Sequence, residues 1–195
     1  MVDDDTDVEG ERGERDVHGD GAGGAGGPVA ASAVTYDLVP LELSRHKIDW
    51  LWGKVSSFPQ AWDDYHAGNR EAFSTVLANR NNVFVEVYRR GELEPVGMFS
   101  ATNIVPKHMA EVHVVFWDRS FKGREVVAHD LLRRFVAEFG LQRIAAFVPE
   151  TNRPACKFAL RIGMRQEGTL RRAALYQGQY VSMMAFGMVR EEVGV

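Results

Sequence analysis

At 195 residues and 45% hydrophobic composition, the chain can bury the core of one ordinary domain, and a second would need more sequence. No apolar run approaches the roughly 18 residues of a membrane-spanning helix. The formal net charge of −4 is uneven: residues 1–33 hold nine acids and two bases, whereas the remainder, with 18 acids and 21 bases, suits an anionic ligand but argues little for duplex DNA.

The chain opens on MVDDDTDVEG, acidic where a signal peptide would be basic and then apolar. Its one cysteine, Cys156, excludes an internal disulfide and a cysteine-rich zinc site, so a reducing, cytoplasmic setting is the expectation. Residues 1–33 have almost no apolar side chains and include GAGGAGG. Such a segment cannot bury enough surface to offset its ordering entropy, and it reads as a disordered tail, with docking to a basic partner as the alternative. GPVAAS marks the boundary, and a folded domain is expected over residues 34–195.

VTYDLVPLEL reads as a first strand. SRHKIDWLWGKVSSF and AWDDYHAGNREAFSTVLAN read as two helices, the first N-capped by Ser44 and the pair separated by Pro59. NVFVEVYRRGELEPVGMFSATNIV is two strands joined by a turn at Arg90–Gly91, and AEVHVVFWD is a further strand. After Gly123 the apolar residues Val126, Val127, Leu131, Leu132, Phe135, Val136 and Phe139 follow the helical period, closed by Gly140. LQRIAAFVPE is a strand. TNRPACKFALRIG then puts Ala155, Phe158, Ala159 and Ile162 on one helix face, with Asn152 as N-cap and Gly163 just past the end. RQEGTLRRAALYQGQYVSMMAFGMV is two strands joined around Gln177–Gly178. The order β-α-α-β-β-β-α-β-α-β-β predicts an α+β fold with a largely antiparallel sheet.

The stretch DRSFKGREVV, residues 118–127, sits between a strand and a helix. Gly123 serves either a plain structural turn or an anion site. A helix start exposes unpaired N–H groups and the positive end of the helix dipole, and both suit a phosphate. A glycine lets the backbone approach that phosphate with no Cβ in the way. Lys122 and Arg124, with Arg119 nearby, add countercharge.

Three stretches, FKGRE, NRPACKFALRIGMRQEG and GTLRRAALYQGQYVSMMAFGM, together with the element order, resemble the GNAT superfamily of acyl-CoA-dependent N-acyltransferases. Within it the chain looks most like the ribosomal-protein-alanine N-acetyltransferase branch. The resemblance covers roughly residues 34–192. It implies a GNAT-like central, mostly antiparallel twisted sheet flanked by helices, and acetyl-CoA as acyl donor. It assigns the cofactor to Phe116 and Trp117 at the strand end, to Phe121, Lys122, Gly123, Arg124, Glu125 and Val126 at the loop and helix start, and to Asn152 beside the pantetheine arm. The family loop typically has Gln or Arg at its first position and Gly or Ala at its last; here these are Ser120 and Glu125, and a carboxylate beside a pyrophosphate is repulsive.

The family reaction is direct attack of an amine on the thioester, with no metal. The amine must first lose a proton, because an alkylammonium of pKa about 10.4 is not a nucleophile. The oxyanion would be stabilised by a backbone N–H of the strand before the loop. Glu111 and His113, two apart on that strand, share a face and are the candidate bases, with ordinary polar strand positions as the other reading. Ungapped counting from Gly123 puts the family's glutamate position on Val112, and a bulge in this strand would restore Glu111. The family's acid positions fall on Ala159 and Ala155, which carry no proton; Cys156 or a water would have to substitute, although Cys156 reads first as a small helix residue near the core. Trp50, Trp52, Phe58, Trp62 and Tyr65 read mainly as core, with one or two left over as an acceptor platform.

The expected partners are acetyl-CoA and an amine of a small molecule or a protein N-terminus, on a monomer or homodimer. A non-catalytic CoA-binding or interaction module, and an acyltransferase acting on a nucleic-acid base amine, stand as alternatives. Limited proteolysis should remove the residues before about Ser32 and leave a folded remainder; a digestion-resistant N-terminal segment would contradict this reading.

Overall fold

In the computed structural model, which describes residues 35–58, 62–64 and 69–195, the expected element order recurs. The acidic tail, Pro59 and Tyr65 lie outside the described residues. The strands are β1 (Tyr36–Pro40), β2 (Val83–Arg89), β3 (Pro95–Val105), β4 (Met109–Phe116), β5 (Arg143–Pro149), β6 (Arg165–Tyr176) and β7 (Gln179–Val189). The helices are α1 (Arg45–Ser56), α2 (Arg70–Ala78), α3 (Arg124–Phe139), α4 (Arg153–Arg161) and a final turn, α5 (Arg190–Val193).

The caps follow the chemistry of the side chains. Ser44 accepts from the Lys47 amide, and Asn152 accepts from that of Ala155. Asn69 caps α2 by accepting from the Ala72 amide, so the helix expected over residues 61–79 is divided there; Asp64 is helical, and residues 65–68 lie outside the described residues. Gly140 and Gly163, both at positive φ, follow α3 and α4 as expected. The β2–β3 connection is longer than a two-residue turn, since Glu92 bonds back to the Arg89 carbonyl and β3 begins at Pro95.

One seven-stranded sheet runs in the order β1-β2-β3-β4-β5-β7-β6, and every pairing is antiparallel except β4 with β5. Alternate side chains feed two cores on opposite faces. Ala110 and Val112 of β4 join the larger core with Val127, Leu131, Leu132 and Phe135 of α3 and Ile162 beyond α4. Val126, expected on that buried stripe, is 58% exposed; the stripe runs instead through Val127, Ala128, Leu131, Leu132, Phe135 and Val136. On the other face Leu51 and Val55 of α1 pack with Phe73 and Leu77 of α2 against Phe84 and Met98. Trp52 and Trp62 each lie 5.6 Å from Phe73, and Trp50 meets Trp117 edge-on at the same distance, so these indoles serve the core. Lys47 ties α1 to the sheet through Glu86, a carboxylate only 2% exposed that also accepts from the Tyr88 hydroxyl. Burial works against the Lys47 charge, but the Glu86 carboxylate outweighs it and holds the ammonium above its usual range.

The end of β4 depends on a close approach. Trp117 and Asp118 both donate to the Val96 carbonyl, a two-on-one bulge pattern that turns the strand out of the sheet. Beside it, a Cβ on Gly97 would stand 2.6 Å from both the Val115 carbonyl oxygen and the Phe116 ring. Gly97→Ala should therefore destabilise the protein by about 1–3 kcal/mol in chemical denaturation, because a backbone oxygen cannot move aside as a flexible side chain would. An unchanged midpoint would show that β4 has more freedom than this packing implies.

Candidate active site

β4 and β5 run parallel and pair only through Met109↔Arg143, Ala110↔Ile144 and Glu111↔Ala145. Both strands continue: β4 stays bonded to β3 as far as Phe116, and β5 stays bonded to β7 as far as Pro149. From Glu111 and Ala145 onward they part, so a slot opens between residues 112–116 and 146–149. At the usual strand rise it is roughly 13 Å long. Each wall is a strand with backbone amides and carbonyls on its inner edge and no β-strand partner there among the described residues. A parallel pair presents its carboxyl ends together, and the segments leaving those ends start α3 and α4.

The exit of β4 is braced. Asp118 accepts from the Ser120 amide through Oδ1 at 2.7 Å and from Arg89 through Oδ2 at 2.5 Å, while Arg89 also reaches the Ser120 hydroxyl at 2.7 Å. The Ser120 side chain does most to hold the Asp118 carboxyl below its usual range; burial opposes it, and the Ser120 amide and the Arg89 charge add to the lowering. A depressed acid contributes its stabilisation above the ordinary carboxylate range and loses it as pH falls through the lowered value, so the brace is intact at neutral pH. Phe121 is 3% exposed and packs on Phe116, which also meets Phe158 of α4.

Gly123 then adopts φ +87°, left-handed backbone that a side chain would strain, and α3 begins with no side-chain cap. The first intrahelical bond runs from the Val127 amide to the Gly123 carbonyl, so the amides of Arg124, Glu125 and Val126 precede it at the positive end of a 16-residue helix. Lys122 stands in this loop. Together with Arg89, Ser120, Phe121 and Thr35 it lines a cavity of about 410 Å³. The Glu125 carboxylate is turned to Arg161 of α4 at 3.0 Å, so its charge is matched by a guanidinium. Trp117 differs from the rest of the expected cofactor set: its indole N–H donates to the Pro95 carbonyl and its ring lies in the α1–α2 core.

Glu111 and His113 do share a face of β4, the face toward α1 and α2, because Ala110 and Val112 fill the opposite core. Glu111 stands where the strands part, opposite Thr102 and Ala145. The register from Gly97↔Phe116 to Thr102↔Glu111 is unbroken, so β4 has no bulge between Glu111 and Phe116; its bulge is at Trp117 and Asp118, within the stretch from Glu111 to Gly123 where the sequence count calls for one. A second irregularity lies on β3, between Thr102 and Val105, where Asn103 takes a positive φ. His113 lies with Nε2 3.5 Å from the Thr102 hydroxyl, and the Trp62 ring stacks on it at 6.4 Å.

Ala155 and Ala159 are where the sequence puts them, on α4, and bring no proton to the slot. Cys156 is half-buried, with Sγ 3.8 Å from the Pro149 carbonyl, and burial pushes its thiol up. Asn152 is the N-cap of α4. Three functional candidates escaped sequence reasoning. Arg89 arrives from β2, Asp64 binds the tip of the β6–β7 hairpin, and Tyr176 at that tip has its hydroxyl pushed up to about 12 by burial and by Asp63 and Asp64. No local pattern marks them, because their partners are 29 to 114 residues away.

Among the described residues, no group of three or more His, Cys, Asp or Glu side chains is arranged to hold a metal ion, and no helix is long and apolar enough to cross a membrane.

Residues 47–164 match the Acetyltransferase (GNAT) family. Among solved structures the chain is similar to the spermidine N-acetyltransferase from Vibrio cholerae in complex with CoA and spermine, at 14% identity and a TM-score of 0.67 over 82% of this chain and 98% of that one. It is also similar to RimL, a ribosomal L7/L12 alpha-N-protein acetyltransferase in complex with coenzyme A, at 17% identity and a TM-score of 0.64 over 80% and 95% of the two chains. A probable acetyltransferase gives 18% identity and 0.64 over 81% and 94%. At such identities the likeness is one of fold. No curated protein matches the chain significantly in sequence. The family match spans more than half of the chain and includes both strands' parting point, the glycine loop and α4: the chain belongs to the GNAT acetyltransferase family.

Proposed function

We propose that the protein transfers an acetyl group from acetyl-CoA to an amine by direct attack within a ternary complex. The observation that carries this reading is the parting of β4 and β5 at Glu111 and Ala145, with the uncapped start of α3 at its mouth. The slot suits an extended arm with amides of its own, which would complete the strand edges much as an added strand does. The pyrophosphate would rest on the amides of Arg124, Glu125 and Val126, approached closely at Gly123, with Lys122 as countercharge. Phe116 and Phe121 would pack beside the arm, and Asn152 at the start of α4 would border its other side. Trp117 contributes by holding the strand end and not by touching the cofactor.

In this reading the amine enters from the face that carries Glu111 and His113. One of them takes its proton, directly or through water, and a backbone N–H of β4 stabilises the oxyanion. The nitrogen lone pair attacks the thioester carbonyl, the tetrahedral intermediate collapses, and CoA leaves as a thiolate that is protonated from water. That route needs no acid at Ala155 or Ala159. The acceptor is an amine of a small molecule or a protein N-terminus. The spermidine and ribosomal-protein acetyltransferases of similar fold act on one of each kind, and the likeness to the ribosomal-protein-alanine branch supports the second. A cytoplasmic setting fits both. The two alanines favour one other reading, a non-catalytic module that binds CoA and works through partners. Acylation of a nucleic-acid base loses its main support, since Trp50, Trp52 and Trp62 are packed against the α1–α2 core.

Calorimetry with acetyl-CoA, followed by thiol release with spermidine and an alanine-initiated tripeptide, separates these readings: binding with turnover supports the enzyme, and binding without turnover supports the module. Gly123→Asp should weaken acetyl-CoA binding at least tenfold, since it adds a side chain at positive φ and a negative charge at the anion site. Parent-like binding would make the loop a plain turn. Glu111→Gln should lower kcat about 10²-fold with little change in acetyl-CoA affinity if Glu111 is the base, and His113→Gln tests the other assignment. Full activity in the double mutant would exclude both.

A further inference from the structure

Glu125 is the middle one of the three residues whose amides precede the first intrahelical bond of α3. Its carboxylate therefore belongs to the turn that would hold an anion. That carboxylate is answered from another helix: Oε1 accepts from the Arg161 Nε–H at 3.0 Å, between residues 36 apart in the chain. The Arg161 guanidinium lies 5.8 Å over the Phe158 ring, and Phe158 meets Phe116 of β4 edge-on at 6.3 Å. The ion pair thus joins the start of α3 to the end of α4, next to the β4 wall of the slot.

Two features make this pair exchangeable. The Glu125 and Arg161 side chains are 40% and 54% exposed, and an ion pair so open to water contributes little to stability, so breaking it costs little. Both also line a cavity of about 500 Å³ with Val126, His129, Arg133 and Ile162, which gives either side chain room to turn away without repacking the core. The other carboxylate of that cavity, Asp130, is engaged by the Tyr36 hydroxyl and by Arg134. Among the described residues, Glu125 is held by Arg161 alone.

Resting on the acetyltransferase reading, we infer that Glu125 is a built-in competitor of the donor's phosphates. In the free protein it occupies Arg161, and when acetyl-CoA binds, the pyrophosphate takes its place against the guanidinium. The exchange follows from charge. An anion on the amides of residues 124–126 is repelled by Glu125 and attracted by Arg161, so the first lowers donor affinity and the second raises it. The pair sets how tightly acetyl-CoA, and CoA after it, is held, and it eases release of the product. A purely structural tie behaves differently: loss of either side chain would loosen the same two helices and change binding in the same direction.

Calorimetry with acetyl-CoA and with CoA, on the parent, Glu125→Gln and Arg161→Gln, tests this. Glu125→Gln removes the charge and keeps the shape, and it should bind both ligands about fivefold more tightly; Arg161→Gln should bind both about tenfold more weakly. Glu125→Gln binding no more tightly than the parent, or Arg161→Gln binding no more weakly, overturns the inference. A parent that binds neither ligand would instead sink the acetyltransferase reading and this one with it. If the variants do not fold, the parent decides alone: the Arg161 Nε–H resonance should shift on saturation with CoA as its partner changes, and an unmoved resonance overturns the inference.

Discussion

The early end of the β4–β5 ladder is the constraint on which the rest depends. A parallel pair normally gains a bonded residue for every step, and here two strands forgo that gain over their last 4 to 5 residues. What keeps them apart is built at both ends of the slot. On the β4 side, the bulge at Trp117 and Asp118 turns the strand outward, Gly97 lets Phe116 lie close, and Arg89 and Asp118 fix the loop leading to Gly123. On the β5 side, continuous pairing with β7 holds the strand to its other neighbour. The cleft is a consequence of strand pairing and not of a loop, which gives it rigid walls.

The electrostatics divide along the same line. On one side of the slot the α3 start and Lys122 present positive charge and the amides that precede the first intrahelical bond, while Arg89 is paired to Asp118 and Glu92 and the Glu125 carboxylate in the first turn is paired to Arg161. On the other face lie Glu111, His113, Asp63, Asp64 and Tyr176, three of them carboxylates, a set whose charge favours an ammonium. In the proposed reaction this division would keep a donor with phosphates and an acceptor that arrives protonated to opposite sides of one thioester. The arrangement favours a ternary complex over a covalent enzyme intermediate, and the half-buried Cys156, with its thiol pushed up, is poorly suited to act as a nucleophile.

Legibility in the sequence followed the range of the interaction. Ser44, Asn152, Gly123, Gly140 and Gly163 act within a few residues of themselves, and their roles at helix ends were readable from residue type and position. The α3 stripe was readable except at Val126, whose apolar side chain lines the surface beside Glu125 and Asp130. The break before α2 was not readable, because a helical pattern running past Trp62 and Asp64 does not reveal that Asn69 caps a helix of its own beginning at Arg70. The extra residue of β3 between Thr102 and Val105 was unreadable, since either of two paired strands can absorb one and only the register of β3 against β4 decides. The contacts of Asp64 with Gln177 and Gly178, and of Arg89 with Asp118, leave no local trace, yet they tie together the two sides of the candidate site.

The central claim is that CoA fills the slot between β4 and β5 with its pyrophosphate on the first amides of α3. Amide chemical-shift mapping during a CoA titration tests it most directly. The largest shifts should fall on Gly123, Arg124, Glu125 and Val126, with a second set along residues 112–116 and 146–149, while α1 and α2 remain still. Saturable binding that instead shifts α1 and α2, or no shift at Gly123 and the residues after it at saturating CoA, would contradict the claim.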